Sequence, residues 1–318
     1  MIKLGKLKLK SNIILAPLAG ISDLPFRMLN RSFGAELGFI EMLNCRAISY
    51  KSRRTKSMLA STDGDRPLGV QLLGCEEKYI LKALDILAPY AFDVIDFNAA
   101  CPARKVVRRC EGAALLKEPK KLRKLLSLIV KNTERPVTVK IRTGWDTSSV
   151  NAVNVARLAE DAGIKGIFIH GRTKLEEYSG EIDYATIKQV KRAVSIPVIA
   201  SGNILSAILA KKMFDDTGCD GITVARGSLG NPWIFKEIAA VMKDGRMIEH
   251  PSLKEIISVM LKHLEANIAF YGERRGVLLF RKFFSSYTKG LRNIRPLREK
   301  ASRVKTKKEV EGLINALH

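Results

Sequence analysis

Eight short apolar runs, each followed by a stretch with helical spacing, limit what this chain can fold into more than any other feature. The runs are "IILAPLAG", "LGFIEM", "PLGVQLLG", "VIDFNAAC", "PVTVKIRTGW", "GIFIHGRT", "PVIASGNI" and "GITVARGSLG". They are rich in β-branched residues and apolar along their whole length, which suits strands covered on both faces. Between them lie amphipathic stretches at Lys78–Tyr90, Lys120–Lys131, Asn151–Ala162, Tyr184–Val194 and Ser206–Phe214; the connection around Arg53–Leu59 is the weakest. An eightfold strand–helix alternation predicts an α/β fold, a closed (β/α)8 TIM barrel with helices outside. A doubly wound open sheet is the rival, but eight units in about 230 residues favour closure. After Asn231–Met242 the strands stop. Leu253, Ile256, Ile257, Met260, Leu261, Leu264 and Ile268 then share one helical face. The expected organisation is a catalytic barrel over residues 1–243 and a small all-helical domain over 244–318.

The net charge of +23 narrows the partners. From Arg274 to Lys308 there are 13 basic residues against one acid, Glu299. Such a segment repels itself unless something anionic lies near, so it is read either as solvated helix faces or as a nucleic-acid surface. Five cysteines at 45, 75, 101, 110 and 219 form no CxxC pair. Neither a disulfide framework nor a metal site is implied, and a reducing cytoplasm is the expected compartment. The run from Ile13 to Pro17 is too short for the apolar core of a signal peptide, and no stretch has the ~18 apolar residues of a membrane span. A monomer is the plain expectation.

In a barrel of this kind the working residues sit where strands end. Those ends read Pro17–Gly20, Glu41–Met42, Gln71, Asn98–Cys101, Lys140–Arg142, His170–Arg172, Gly202–Asn203 and Arg226–Gly227. One stretch, "DFNAACPARKVVRRCEGAALL", ends a strand at Cys101–Pro102 and runs straight into Arg104, Lys105, Arg108 and Arg109. A thiol at a strand end beside a cationic loop suits chemistry on an anionic polymer; a buried, inert thiol beside a solvated loop is the alternative. Asn98 is either a reader of a base edge or a strand-end turn cap. Asp96 is expected to be structural, and Phe280, Phe283 and Phe284 to be helix core.

Together "APLAGISDLPFR", "EMLNCRA", "VQLLG", the stretch around Cys101, "VKIRTGW", "IHGRT", "GNI" and "ARGSLGNPWIF" resemble, in order and spacing, the tRNA-dihydrouridine synthases. The resemblance is dense from residue 13 to about 240 and looser through "RKFFSSYTKGLRN". It implies FMN at the barrel mouth, NADPH or NADH as reductant, and reduction of the C5–C6 bond of a flipped uridine in tRNA. Carried over, Pro17, Leu18 and Ala19 lie along the flavin, Gln71 and Lys140 on its polar edge, and His170 near flavin or phosphate. Ser201, Gly202, Asn203, Ala225, Arg226 and Gly227 hold the phosphate. Cys101 becomes the general acid that protonates C5 while hydride reaches C6. Asn98, Arg142 and Arg172 face the uridine, and Arg104, Lys105, Arg108, Arg109, Arg281, Lys282 and Arg292 face tRNA phosphates. One tension follows, because cations near a thiol lower its pKa and would remove the proton it must give. Three positions depart from the family pattern: Ala100 and Ala225 stand where Gly is usual, and Ser201–Gly202–Asn203 replaces Asn-Gly-Asp. Ala100 is expected to restrict the backbone that aims the thiol. The competing readings are an FMN-dependent reductase of small pyrimidines or enes and a non-catalytic tRNA-binding barrel; neither accounts for all of the cationic loop, basic tail and retained Cys101.

Overall fold

The computed structural model describes residues 1–50 and 53–317. Each of the eight apolar runs contributes one parallel strand: β1 Ile13–Leu15, β2 Gly38–Phe39, β3 Leu68–Leu73, β4 Val94–Asn98, β5 Val137–Arg142, β6 Ile167–His170, β7 Val198–Ser201 and β8 Gly221–Val224. Neighbours in sequence pair in space, and β8 returns to β1 with Thr223 opposite Ile14. That last pairing closes the barrel and removes the open-sheet alternative. A further two-residue strand, Leu43–Asn44, continues β2 along β3. The helices α1 Leu24–Ser32, α2 Glu77–Leu87, α3 Pro119–Lys131, α4 Ala152–Asp161, α5 Tyr184–Ala193, α6 Ala207–Thr217 and α7 Ile234–Asp244 follow the strands. After β2 the connection is two short helices, Cys45–Ile48 and Arg53–Met58, in keeping with its weak periodicity.

Side chains alternate across each strand and build two cores. Outward residues such as Val70, Ile95, Val139, Ile169, Ala200 and Ile222 pack with the helices. Ile14, Phe39, Val94, Phe168 and Ile199 fill the lower barrel. Gly69 makes room for the Phe39 ring, since a Cβ there would lie 2.2 Å from it. The N-terminal segment, unassigned in the sequence, forms a hairpin of Lys3–Leu4 with Leu7–Lys8. Its Ile2, Leu4 and Leu9 plug the barrel bottom, where a Cβ on Gly221 would sit 2.5 Å from Ile2. The segment's lysines alternate with apolar residues because one face of the hairpin is solvated.

Above that plug the inward positions turn polar. The parallel register sets Gln71 beside Asp96, Asn98 beside Lys140, Arg142 beside His170 and His170 beside Ser201. The helix α7 stops at Gly245, whose φ is +75°. A strand-free region follows: α8 Leu253–Tyr271, α9 Glu273–Tyr287, α10 Arg295–Ala301 and α11 Lys307–Asn315. Ser252 and Glu255 form a capping box that starts α8. On α8, Ile256, Met260 and Leu264 are buried while Leu253, Ile257, Leu261 and Ile268 are half-buried. Phe280, Phe283 and Phe284 are core, and Phe283 stacks on Phe26 of α1 at 5.6 Å, so the helical region shares a packed seam with the barrel.

Candidate active site

The strand ends converge on a cavity of about 280 Å³ that opens at the barrel mouth. This is close to the lower end of ligand-pocket sizes, ~300–1,000 Å³. Ala16, Pro17, Leu18, Ala19, Met42, Ile204 and Leu205 supply its apolar wall, and Gln71, Asn98, Cys101, Lys140, Arg142, His170, Ser201, Gly202, Asn203, Ala225 and Arg226 also line it. Gly227 stands behind the wall, packed so closely on the Ile204 carbonyl that a Cβ would lie 2.1 Å from it. Arg172 is buried outside the lining.

The floor is a hydrogen-bonded ladder. Gln71 donates to Asp96 at 2.6 Å, Thr138 donates to the other Asp96 oxygen at 2.7 Å, and Asn98 Nδ2 donates to Gln71 Oε1 at 2.8 Å. Burial pushes Asp96 up to about 6 against these bonds and the nearby Lys140 charge. Asp96 is thus a structural strut, which agrees with its reading from sequence. Asn98 Oδ1 accepts from the amides of Ala100 at 3.0 Å and Cys101 at 2.8 Å. Two of its bonds therefore hold the turn that carries the thiol, and the third ties it to the floor.

That turn is tied elsewhere too. Arg142 Nε donates to Ala100 O at 2.8 Å, and the Ala113 amide donates to Cys101 O at 3.1 Å. Gly112, at φ +60°, lets the chain return, since a Cβ would sit 2.8 Å from Cys101 O. Asn44 Nδ2 donates to both oxygens of buried Glu111 at 3.0 and 2.9 Å, anchoring the far end of the loop. Ala100 keeps a negative φ, so alanine there costs no left-handed strain. The tension over the thiol also resolves. Burial pushes Cys101 up, and the Ala103 amide, Arg142 and Lys105 pull it down less strongly. Arg104, Lys105, Arg108 and Arg109 are exposed. Burial therefore favours the protonated thiol.

On the opposite arc Lys140 Nζ reaches Ser201 Oγ at 3.4 Å, and burial brings its ammonium down to about 8. Burial, then Arg142, Lys140, Arg172 and Arg226, takes His170 down to about 2. Arg172 Nη1, which can only donate, lies 3.5 Å from His170 Nε2, so the neutral ring carries its proton on Nδ1, 3.4 Å from Ser201 Oγ. Two buried arginines brace the next loop. Arg142 Nη1 donates to the Thr173 and Glu177 carbonyls at 2.8 Å each, and Arg172 Nη2 to Gly180 O at 2.7 Å. Between them Tyr178, 57% exposed, faces the guanidinium groups of Arg142 and Arg226 at 5.7 and 5.3 Å. Strand ends alone do not reveal Tyr178; it sits mid-loop in "KLEEYSG".

The heads of β7 and β8 are built for an anion. Gly202 and Asn203 adopt φ of +127° and +51° in succession. Among the described residues, the amides of Gly202, Asn203 and Ile204 donate to no protein acceptor. Asparagine tolerates the left-handed region, so the change from aspartate keeps the turn and drops a negative charge. The buried Thr223 Oγ1 on the cavity wall also has no partner among the described residues. An apolar slot, a polar floor and a donor-rich turn fit a phosphorylated planar cofactor. No group of three or more potential metal ligands occurs among the described residues.

Three tRNA-facing candidates lie in the helical region. Arg292 is exposed. Arg281 Nε donates to Val304 O at 3.0 Å, and Lys282 Nζ donates to Gly20 O.

Comparison with known proteins bears on the whole chain. Residues 14–318 match the family model "Dihydrouridine synthase (Dus)". "tRNA-dihydrouridine synthase B" of Pasteurella multocida (strain Pm70) is 38% identical over 99% of this chain and 96% of its own length. "Probable tRNA-dihydrouridine synthase" of Rickettsia conorii (strain ATCC VR-613 / Malish 7) is 41% identical over 92% and 89%. Among solved structures, 6-hydroxypseudooxynicotine (6-HPON) amine oxidase (HisD) from Pseudomonas geniculata N1 superposes with TM-score 0.58 at 15% identity, over 76% of this chain and 49% of that one. Histamine dehydrogenase from Rhizobium sp. 4-9 gives 0.58 at 14%, over 83% and 50%. Those two share the barrel fold alone, whereas the full-length sequence matches establish that the chain belongs to the dihydrouridine synthase family.

Proposed function

We propose that this protein is an FMN-dependent tRNA-dihydrouridine synthase that reduces the C5–C6 bond of a uridine extruded from tRNA. The observation that carries the reading is that Cys101 lines the same cavity as a hydrogen-bonded polar floor and a turn whose Gly202, Asn203 and Ile204 amides donate to no protein acceptor among the described residues. Gly202, Asn203 and Arg226 hold the FMN phosphate, with Ser201 and Ala225 shaping the turn and Gly227 backing it. Pro17, Leu18 and Ala19 form the apolar wall along the ring, and Gln71 and Lys140 meet its polar edge. Reduced FMN supplies hydride for uracil C6. Cys101 Sγ–H then gives its proton to C5, and burial keeps that proton in place until the base arrives. Lys140, neutral His170 and the Arg142 charge stabilise the negative charge that develops towards O4. Asn98 has one Nδ2 hydrogen free of the Gln71 bond to meet the base edge.

The exposed Arg104, Lys105, Arg108 and Arg109 lie next to the cavity, where a flipped nucleotide's flanking phosphates pass; Arg292 extends the cationic surface. NADPH or NADH serves as reductant at the same mouth before RNA binds. No helix among the described residues is long and apolar enough to cross a membrane. A tRNA substrate and five cysteines without a CxxC pair support a cytoplasmic enzyme, and a monomer is its simplest form. The test is Cys101→Ala in the FMN-reconstituted protein. Flavin binding and reduction by NADPH should persist while dihydrouridine formation in unmodified tRNA falls by about 10²–10⁴. Near-normal turnover refutes the acid; a wild-type protein that binds no FMN refutes the cofactor; turnover on free pyrimidines and none on tRNA favours the small-molecule reductase.

A further inference from the structure

The barrel loop from Pro17 to Ser22 forms one wall of the cavity, and its apex is fixed from both sides. Gly20, at φ +71°, has its amide bonded to Glu41 Oε2 and its carbonyl to Lys282 Nζ of α9. Within the loop, Ser22 Oγ accepts from the Leu18 amide at 2.9 Å. One residue beyond it, Asp23 caps α1 by accepting from Phe26 N at 3.0 Å and also accepts from Tyr271 OH of α8 at 3.0 Å. Lys282 is half-buried, and Asp23 and Glu41 favour its charged form against desolvation. A cation that donates to a barrel carbonyl and feels the charges of Asp23 and Glu41 is committed to the barrel, unlike the exposed Arg292.

We propose that Lys282 is a positioning residue for the flavin pocket, a contact through which the helical domain sets the Pro17–Ala19 wall. This rests on the FMN reading above. The helical domain then has a second task besides RNA: Lys282 and Tyr271 hold the loop from outside the barrel, and the loop holds the ring.

The test compares FMN affinity, by quenching of flavin fluorescence, and the absorbance spectrum of bound flavin in wild type, Lys282→Met, Lys282→Arg and Tyr271→Phe. Loss of a charge-assisted hydrogen bond should weaken FMN binding by about tenfold in Lys282→Met, with a shifted spectrum. Lys282→Arg should recover most of it, and Tyr271→Phe should give a smaller loss in the same direction. Unmodified tRNA, measured by filter binding, should bind Lys282→Met as it binds wild type, whereas Arg292→Glu should show the converse pattern. Melting temperatures identify a variant that has merely unfolded, in which case Lys282→Arg and Tyr271→Phe decide. Wild-type FMN affinity and spectrum in Lys282→Met overturn the proposal. So does a loss of tRNA binding alone, which returns Lys282 to the RNA surface. A wild-type protein without FMN affinity refutes the cofactor reading instead.

Discussion

Asn98→Ala separates holding a turn from reading a base. The substitution deprives the Ala100 and Cys101 amides of their shared acceptor and Gln71 Oε1 of its donor. A buried polar group left unsatisfied costs ~1–3 kcal/mol. All three groups border the cavity, where water relieves part of the cost, so the lower end applies to each and the total is about 3 kcal/mol. Unfolding entropy of ~2.1 cal/mol/K per residue gives ~0.7 kcal/mol/K for this chain, hence a fall in Tm of about 4 °C. Asn98→Asp keeps an acceptor for both amides and loses only the Gln71 donor, so its Tm should fall less than that of the alanine variant. Scanning fluorimetry measures both, and single-turnover reduction of tRNA uridine reports whether Cys101 is still aimed. An Asn98→Ala protein within 1 °C of wild type, with unchanged turnover, would falsify the claim that this side chain fixes the thiol's turn. Unchanged Tm with collapsed turnover would assign Asn98 to the base alone.

Other expectations follow from the same geometry. Lys140 titrates near 8 in the folded protein against an ordinary 10.5; the folded state binds fewer protons between those values, so this group's burden on stability is full below pH 8 and lifts as pH rises to 10.5. FMN affinity of the apoprotein should run oppositely, falling with a midpoint near pH 8, and a flat profile to pH 9.5 would refute the ammonium's part in binding; His170, at about 2, should contribute no limb near pH 6. Gly202→Ala adds a Cβ 2.5 Å from Ile182 Cδ1 at a φ of +127°; strain of ~1–3 kcal/mol should weaken FMN binding at least fivefold in equilibrium dialysis, and unchanged affinity would remove the phosphate from this turn. Arg108→Glu with Arg109→Glu should leave bound flavin unaltered and flatten the salt dependence of tRNA binding by about 1–2 in log–log slope. An unchanged slope would show that these side chains meet no phosphate.

The barrel was legible because a parallel strand buried on both faces writes its position as a continuous apolar run. The mouth was legible because strand ends in such a barrel all point one way. Other features left no comparable mark. The lower plug depends on Ile2 and Leu4 meeting Gly221 and Gly166, contacts between residues far apart in sequence. The roles of Arg142 and Arg172 were hidden for a different reason. An arginine that braces a loop through carbonyls has the same letter as one that reaches a phosphate, and only burial distinguishes them. Lys282 shows this most sharply. In "RKFF" it reads as a surface cation among aromatics, yet the turn of α9 aims it at a loop 262 positions earlier in the chain. Tyr178 was missed because its loop position is set by those two arginines and by no periodic pattern.

The cations of this molecule divide by how they are compensated, and the division explains how one mouth can attract an anion while keeping an acid protonated. Lys282 donates to the Gly20 carbonyl and feels the opposing charges of Asp23 and Glu41. Arg142 and Arg172 satisfy their hydrogen-bonding groups with backbone carbonyls, which complete the geometry but leave the positive charge largely uncancelled. The nearest buried acid, Asp96, is itself pushed up to about 6 and lies in the floor. Burial first and then the surrounding cations depress His170, whereas at Lys140 burial depresses the ammonium and Asp96 opposes it more than Arg142 adds. Applied to Cys101 the same field favours the thiolate, but for a thiol desolvation acts in the opposite direction, and there it wins. Burial and cationic field therefore add for His170 and oppose for Cys101. A wider mouth that let water reach Sγ would keep the field and weaken the opposition, shifting the thiol towards the thiolate. The burial of Cys101 thus matters to its protonation as much as the sulfur does, and enlarging the shared cavity by Met42→Gly should lower the thiol's pKa, measured by the pH dependence of its alkylation rate in the apoprotein, with an unchanged pKa refuting the part assigned to burial.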